Sequence, residues 1–140
     1  MQHIFVYGTL QSPQIVEKLT GKSFNTTRAV LPGYKLFCVK NADYPAIVKN
    51  ENAVTTGLII ENAHNASLAV ISFYEGDEYE IQKVTVLVDG KPVPALVFVW
   101  AKSIELLENR EWDFQRFKQE NLEYYLNEVI PETLKEFKGN

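Results

Sequence analysis

Sulfur and imidazole are scarce in this chain. One cysteine, one methionine and two histidines occur among 140 residues. A lone cysteine, Cys38, excludes an internal disulfide, and a reduced, cytoplasmic setting fits that count. Two histidines and one cysteine leave few ligands for a zinc site, so no metal is expected. Phosphate-cradling and nucleophile motifs are missing as well. No G-x-x-x-x-G-K-[ST], no G-x-G-x-x-G and no G-x-S-x-G is present. That points away from nucleotides, cofactors and a serine triad. No run approaches the ~18 apolar residues of a membrane helix. The first residues lack the basic segment and apolar run of a signal peptide. Excess positive charge is absent too. The formal charge is -4 and the pI about 5.2, which argues against nucleic acid as a partner.

What remains is a chain rich in carboxylates, hydroxyls and aromatic rings. Its length suits one domain spanning 1–140, and no linker or repeat divides it. His3–Tyr7 reads as a short buried strand ending at Gly8. Ser12-Pro13 opens a helix, as N-cap and first helical residue, and Gly21 stops it. Strands are expected at Arg28–Leu31 and Tyr34–Val39 around a Pro32-Gly33 turn, then at Tyr44–Val48 and Ala53–Glu61. Asn62 or Asn65 can cap a second helix running to about Glu75. Tyr79–Val88 and Val93–Trp100 flank Asp89-Gly90, a hairpin signal. Asp113 caps a C-terminal helical segment, about 112–138, which Pro131 breaks or restarts. This order is not a regular βαβ alternation. It predicts an α+β fold with a mixed or antiparallel sheet curled toward a small barrel.

Two places could carry chemistry. The first is Tyr7-Gly8-Thr9-Leu10, between a strand and a helix. A glycine there leaves backbone amides bare, and bare amides near a helix start can hold a carboxylate or an oxyanion. On local grounds it reads first as an ordinary strand-to-helix turn. The second is Tyr74-Glu75-Gly76-Asp77-Glu78-Tyr79-Glu80. Leu68, Ile71 and Glu75 share a helix face, so an apolar stripe ends in a carboxylate. Partial burial, the nearby acids Asp77, Glu78 and Glu80, and the negative helix end should all raise its pKa. A carboxyl so tuned is a proton acceptor near neutral pH. It also reads as a solvated acidic turn. Tyr44-Pro45 reads as strand packing and Cys38 as a core thiol. Trp112, Phe114, Phe117, Tyr124 and Tyr125 suit either internal packing or a homodimer face.

Together these pieces resemble the gamma-glutamylcyclotransferase-like superfamily, and its AIG2-like branch in particular. The resemblance runs through F-V-Y-G-T-L at Phe5–Leu10, A-V-L-P-G-Y at Ala29–Tyr34 and Y-P-A-I-V at Tyr44–Val48. It continues in V-x-x-G-L-I at Val54–Ile59, Y-E-G-D-E-Y at Tyr74–Tyr79, P-A-L-V-F-V-W at Pro94–Trp100 and E-W-D-F at Glu111–Phe114. It implies a small β-barrel with flanking helices. It implies that Tyr7, Gly8, Thr9 and Leu10 contact a γ-glutamyl group, that Tyr79 joins the pocket, and that Glu75 is the catalytic acid/base. The implied reaction turns a γ-glutamyl amide or amine into 5-oxoproline, without cofactor or metal, and makes the chain an acyltransferase. A non-catalytic domain that binds a small ligand or partner on the same scaffold is the alternative. One departure stands out: Ile71-Ser72 occupies the place where the family often has Leu-Asp.

Overall fold

The computed structural model describes residues 1–139. Its elements follow the order β1 (Gln2–Val6), α1 (Pro13–Thr20), β2 (Thr26–Val39), β3 (Pro45–Ala63) and α2 (Asn65–Glu75). Then come β4 (Tyr79–Val88), β5 (Lys91–Trp100), β6 (Leu107–Glu108) and a helical C-terminus. That C-terminus is α3 (Phe114–Glu120), α4 (Leu122–Tyr124), a π turn at Tyr125–Val129 and α5 (Ile130–Gly139).

The sheet order is β3-β1-β5-β4-β2-β6, and β2 also pairs with β3. The pairing therefore returns on itself and rings five strands, with β6 appended to β2. The ring is uneven. The β2–β3 and β4–β5 ladders are long, but β1–β5 and β2–β4 meet at single registered pairs, Ile4↔Leu96 and Val30↔Leu87. All strand pairs except β1–β5 are antiparallel.

Period-two alternation sorts the side chains. In β1, Phe5 turns into the ring with Leu31, Ile47, Ile59, Val86 and Val97. Its neighbours Ile4 and Val6 turn outward onto Ile15, Leu19, Ile71, Phe117 and Ile130 from the helices. Val84, Val86 and Val88 alternate onto the inner core, with Val86 fully buried. Close approach of β1 to β3 explains Gly57. A Cβ there would lie 2.2 Å from the Val6 carbonyl oxygen.

Most element ends match the local signals. Ser12 Oγ accepts from the Ile15 amide at 3.2 Å, Pro13 is the first helical residue, and Gly21 closes α1 at φ 75°. Asp89 and Gly90 both have positive φ, 50° and 77°, as a tight two-residue hairpin turn requires. Asp113 caps α3 through the Gln115 amide at 2.9 Å.

Three expectations change. Pro32-Gly33 is not a turn. β2 continues through it with a register shift, Pro32 facing Val54 and Tyr34 facing Lys49. Gly33, at φ 86°, absorbs the kink, and residues 50–53 bulge out opposite it. The two separate strands expected across Tyr44–Glu61 are accordingly one long β3. Neither Asn62 nor Asn65 caps α2. His64 holds that position without a side-chain bond, and Asn62 instead takes a left-handed conformation at φ 57°. Pro131 neither breaks nor restarts the helix. The backbone is helical on both sides of it, and the π turn at Tyr125–Val129, where the Ile130 amide donates to the Tyr125 carbonyl, widens the helix just before the ring.

Candidate active site

The site forms where β1 ends. Gly8 follows the strand, and the chain tightens into a single 3-10 turn at Thr9–Gln11 before α1. Gln11 holds that turn closed. Its amide donates to the Gly8 carbonyl at 3.1 Å and its side-chain amide to the Tyr7 carbonyl at 2.9 Å. The carbonyls are thus occupied, while the amides of Gly8, Thr9 and Leu10 donate to no acceptor among the described residues. Space favours glycine at position 8, because a Cβ would lie 3.0 Å from the Pro45 ring.

The turn that carries these amides borders a narrow cleft of about 30 Å³. Tyr7, Gly8, Thr9, Leu10, Glu75 and Tyr79 all line it, so the turn, the end of α2 and the start of β4 converge. Phe5, Val6, Tyr44, Pro45 and Phe98 complete its walls. A second, outer cavity of about 150 Å³ shares Thr9, Tyr44, Glu75 and Tyr79 with the cleft. Tyr74, Glu78, Tyr125, Val129 and Thr133 close it, the last three from the C-terminal helices. Glu75 stands where the two spaces meet.

Glu75 is the last residue of α2, and Gly76 ends the helix at φ 80° with its amide on the Ser72 carbonyl at 3.0 Å. Ile71, one turn back, is fully buried, and Leu68 packs against the same core. The glutamate is thereby drawn into an apolar wall, and burial pushes its carboxyl up to about 8. Burial is what raises it, and the neighbouring acids expected to help do not contribute. Asp77 and Glu80 are exposed, where water screens them. Glu75 makes no ion pair among the described residues.

Four phenols surround this carboxyl, each held by a defined partner or wall. Tyr7 donates to the Phe98 carbonyl at 2.6 Å and Tyr79 to the Pro45 carbonyl at 2.7 Å. Tyr74 and Thr9 share a hydrogen bond of 2.7 Å, and Tyr44 donates to Glu78 at 3.0 Å. Burial first, and Glu75 among further causes, pushes Tyr7, Tyr74 and Tyr79 well up. Tyr44 is pushed up to about 12 by burial and by its bond to Glu78. All four remain protonated hydroxyls at neutral pH.

The six residues singled out in sequence are brought together. Tyr44 and Pro45, read as packing, also line the cleft. Tyr125, read with the aromatic cluster, lines the outer cavity while packing edge-on to Phe117 at 4.9 Å. Glu78 and Tyr74 gave no separate signal beyond adjoining Glu75. Cys38 is a buried thiol, 3.5 Å from the Glu111 carbonyl. No group of three or more His, Cys, Asp or Glu among the described residues is placed to hold a metal. No helix among the described residues is long and apolar enough to cross a membrane.

Residues 4–115 match the family model described as gamma-glutamyl cyclotransferase, AIG2-like. The chain belongs to the AIG2-like gamma-glutamyl cyclotransferase family. AIG2-like protein D of Arabidopsis thaliana is 30% identical over 129 residues, which cover 90% of this chain and 85% of that one. A solution structure from Arabidopsis thaliana superposes with a TM-score of 0.71 at 26% identity, covering 98% of this chain and 84% of the other. A structure titled gamma-glutamyl cyclotransferase shares the fold, with a TM-score of 0.62 at 15% identity over 93% of this chain and 86% of that one. The family match spans the bare-amide turn, Glu75 and Tyr79 but stops before most of the C-terminal helices. Those helices supply part of the outer cavity, so that wall lies outside the matched segment.

Proposed function

We propose that this protein cyclises γ-glutamyl amides, releasing 5-oxoproline and the free amine, with Glu75 as general acid and base. Glu75 is the observation that carries the reading. It is an acid raised to about 8 by burial, in no ion pair among the described residues, lining both a cleft and an outer cavity beside the turn that carries three bare amides.

The chemistry follows from that placement. The ionised Glu75 takes one proton from the substrate's α-ammonium group. The freed amine nitrogen attacks the γ-carbonyl carbon, and the carbonyl electron pair moves onto oxygen. Amides of the Gly8–Leu10 turn are donors for that oxyanion. The carbonyl then reforms, the bond to the leaving nitrogen breaks, and protonated Glu75 returns its proton to that nitrogen; the second proton that the attacking nitrogen gives up on closing the ring passes through solvent to the freed amine, which departs as an ammonium and leaves the lactam N–H. No protein nucleophile is needed, because the substrate supplies its own. The fold holds the chain curled so that amine and carbonyl meet, and such positioning can supply much of the rate. Tyr7 and Tyr79, their protons committed to backbone carbonyls, shape the walls around the γ-glutamyl group.

The narrowness of the cleft favours one other reading, a non-catalytic module that binds a small ligand. Turnover separates the two. General acid–base help is worth about 10²–10⁴ in rate. Glu75→Gln is therefore expected to fold and to lose activity by about that factor, measured as 5-oxoproline by mass spectrometry over a panel of γ-glutamyl amides. Unchanged turnover in Glu75→Gln overturns the assignment of Glu75. A folded wild type inactive across the panel favours the binding module.

A further inference from the structure

The outer cavity has a chemical character of its own. Tyr44, Tyr74, Tyr79 and Tyr125 supply its rings, Glu75 and Glu78 its acids, and no lysine or arginine lines it. Glu78 is half-buried, oriented by the Tyr44 hydroxyl at 3.0 Å, and in no ion pair among the described residues. Tyrosine faces and an unneutralised carboxylate both attract cations. A carboxylate placed in the same space would meet Glu78 with like charge.

The position of Glu75 says what enters. To act on both nitrogens, it must lie beside the substrate's α-amine on one side and the departing nitrogen on the other. The turn with the bare amides borders the inner cleft, so the carbonyl belongs there. The group attached to the departing nitrogen then extends into the outer cavity. We propose that this cavity is the leaving-amine subsite, and that Glu78, held by Tyr44, selects amines bearing a second positive charge over neutral or carboxylate-bearing ones. This rests on the cyclotransferase reading of the inner cleft.

Three γ-glutamyl amides of equal reach test it, made from butane-1,4-diamine, pentylamine and 5-aminopentanoic acid. They end in an ammonium, a methyl and a carboxylate. The order of kcat/KM is expected to be ammonium, methyl, carboxylate, with about tenfold between the first two. In Glu78→Gln the ammonium-to-methyl ratio is expected to fall toward one, through KM rather than kcat. Equal kcat/KM for the three in wild type overturns the proposal. So does a Glu78→Gln loss that is the same for all three, which marks a structural role. Failure of the cyclotransferase reading is told apart by equilibrium binding of the same amides to the Glu75→Gln protein. The same order there, with no 5-oxoproline from wild type, retains the subsite and rejects the reaction. Equal binding or none rejects the subsite.

Discussion

Replacing Glu75 with glutamine should make the protein more stable while making it inactive, and the gain should depend on pH. The carboxyl is raised from its ordinary 4.5 to about 8 by burial. In the unfolded chain it returns to the ordinary value. Between those two pH values the native state holds a proton that the unfolded state has released, so stability falls as pH rises. The slope is about 1.36 kcal/mol per pH unit. Stability is full below 4.5, declines through neutrality, and stops declining above about 8. The ceiling on the total is 1.36 times the difference between 8 and 4.5, or about 5 kcal/mol, and about 3 kcal/mol is already lost at pH 7.

Glu75 is only partly buried, so water at the cavity mouth reduces these figures, and about 1–3 kcal/mol at pH 7 is the working expectation. Glutamine has nearly the same shape and no charge to desolvate. For a chain of this length about 1 kcal/mol moves Tm by about 3 °C. Thermal unfolding of both proteins at pH 5 and pH 8.5 is the assay. The Tm advantage of Glu75→Gln is expected to be small at pH 5 and to reach about 3–10 °C at pH 8.5. A pH-independent difference, or one that favours wild type more as pH rises, refutes the claim that burial holds this carboxyl high.

On the proposed reaction the same group sets the rate. The acid limb of kcat/KM should have an apparent pKa near 8 rather than 4.5, so activity falls as pH drops below about 8; a limb near 4.5 counts against Glu75 as the base. Gly57→Ala should destabilise by about 3 kcal/mol or more, because the new methyl meets the Val6 carbonyl and backbone must move; a denaturant midpoint within error of wild type contradicts the close approach. Tyr79→Phe removes the bond to the Pro45 carbonyl and should lower unfolding free energy by about 1 kcal/mol in urea titration. Its kcat should fall far less than that of Glu75→Gln, and a loss as large would make Tyr79 a proton-transfer group.

Local signals located the element ends and most of the residues that line the candidate site. Ser12-Pro13, Asp89-Gly90 and Asp113 act within a few residues of themselves, and each does in the fold what its type dictates. Pro32-Gly33 misled because its conformation is set by a distant strand. Two long ladders to β3 hold both flanks in line, so the pair bends a strand instead of ending it. The outer cavity was illegible for the same reason. Tyr44 comes from the β2–β3 connection, Tyr74 from α2 and Tyr125 from the C-terminal helices, 81 positions after Tyr44. No periodicity links residues so far apart.

Glu75 marks the boundary between the two kinds of information. Its position at the end of an apolar helix face was plain from Leu68, Ile71 and Gly76. The cause of its altered acidity was not, because local reasoning counts charges nearby in sequence, and water silences those. Asp77 and Glu80 point to solvent, while Glu78 is turned aside to Tyr44. The fold supplies burial in their place, from the start of the barrel and the end of the chain together. A proton acceptor tuned by burial rather than by like charges is insensitive to salt. The acid limb of the pH–rate profile should therefore hold its position near 8 as ionic strength rises, whereas a carboxyl raised by exposed acids would slide back toward 4.5.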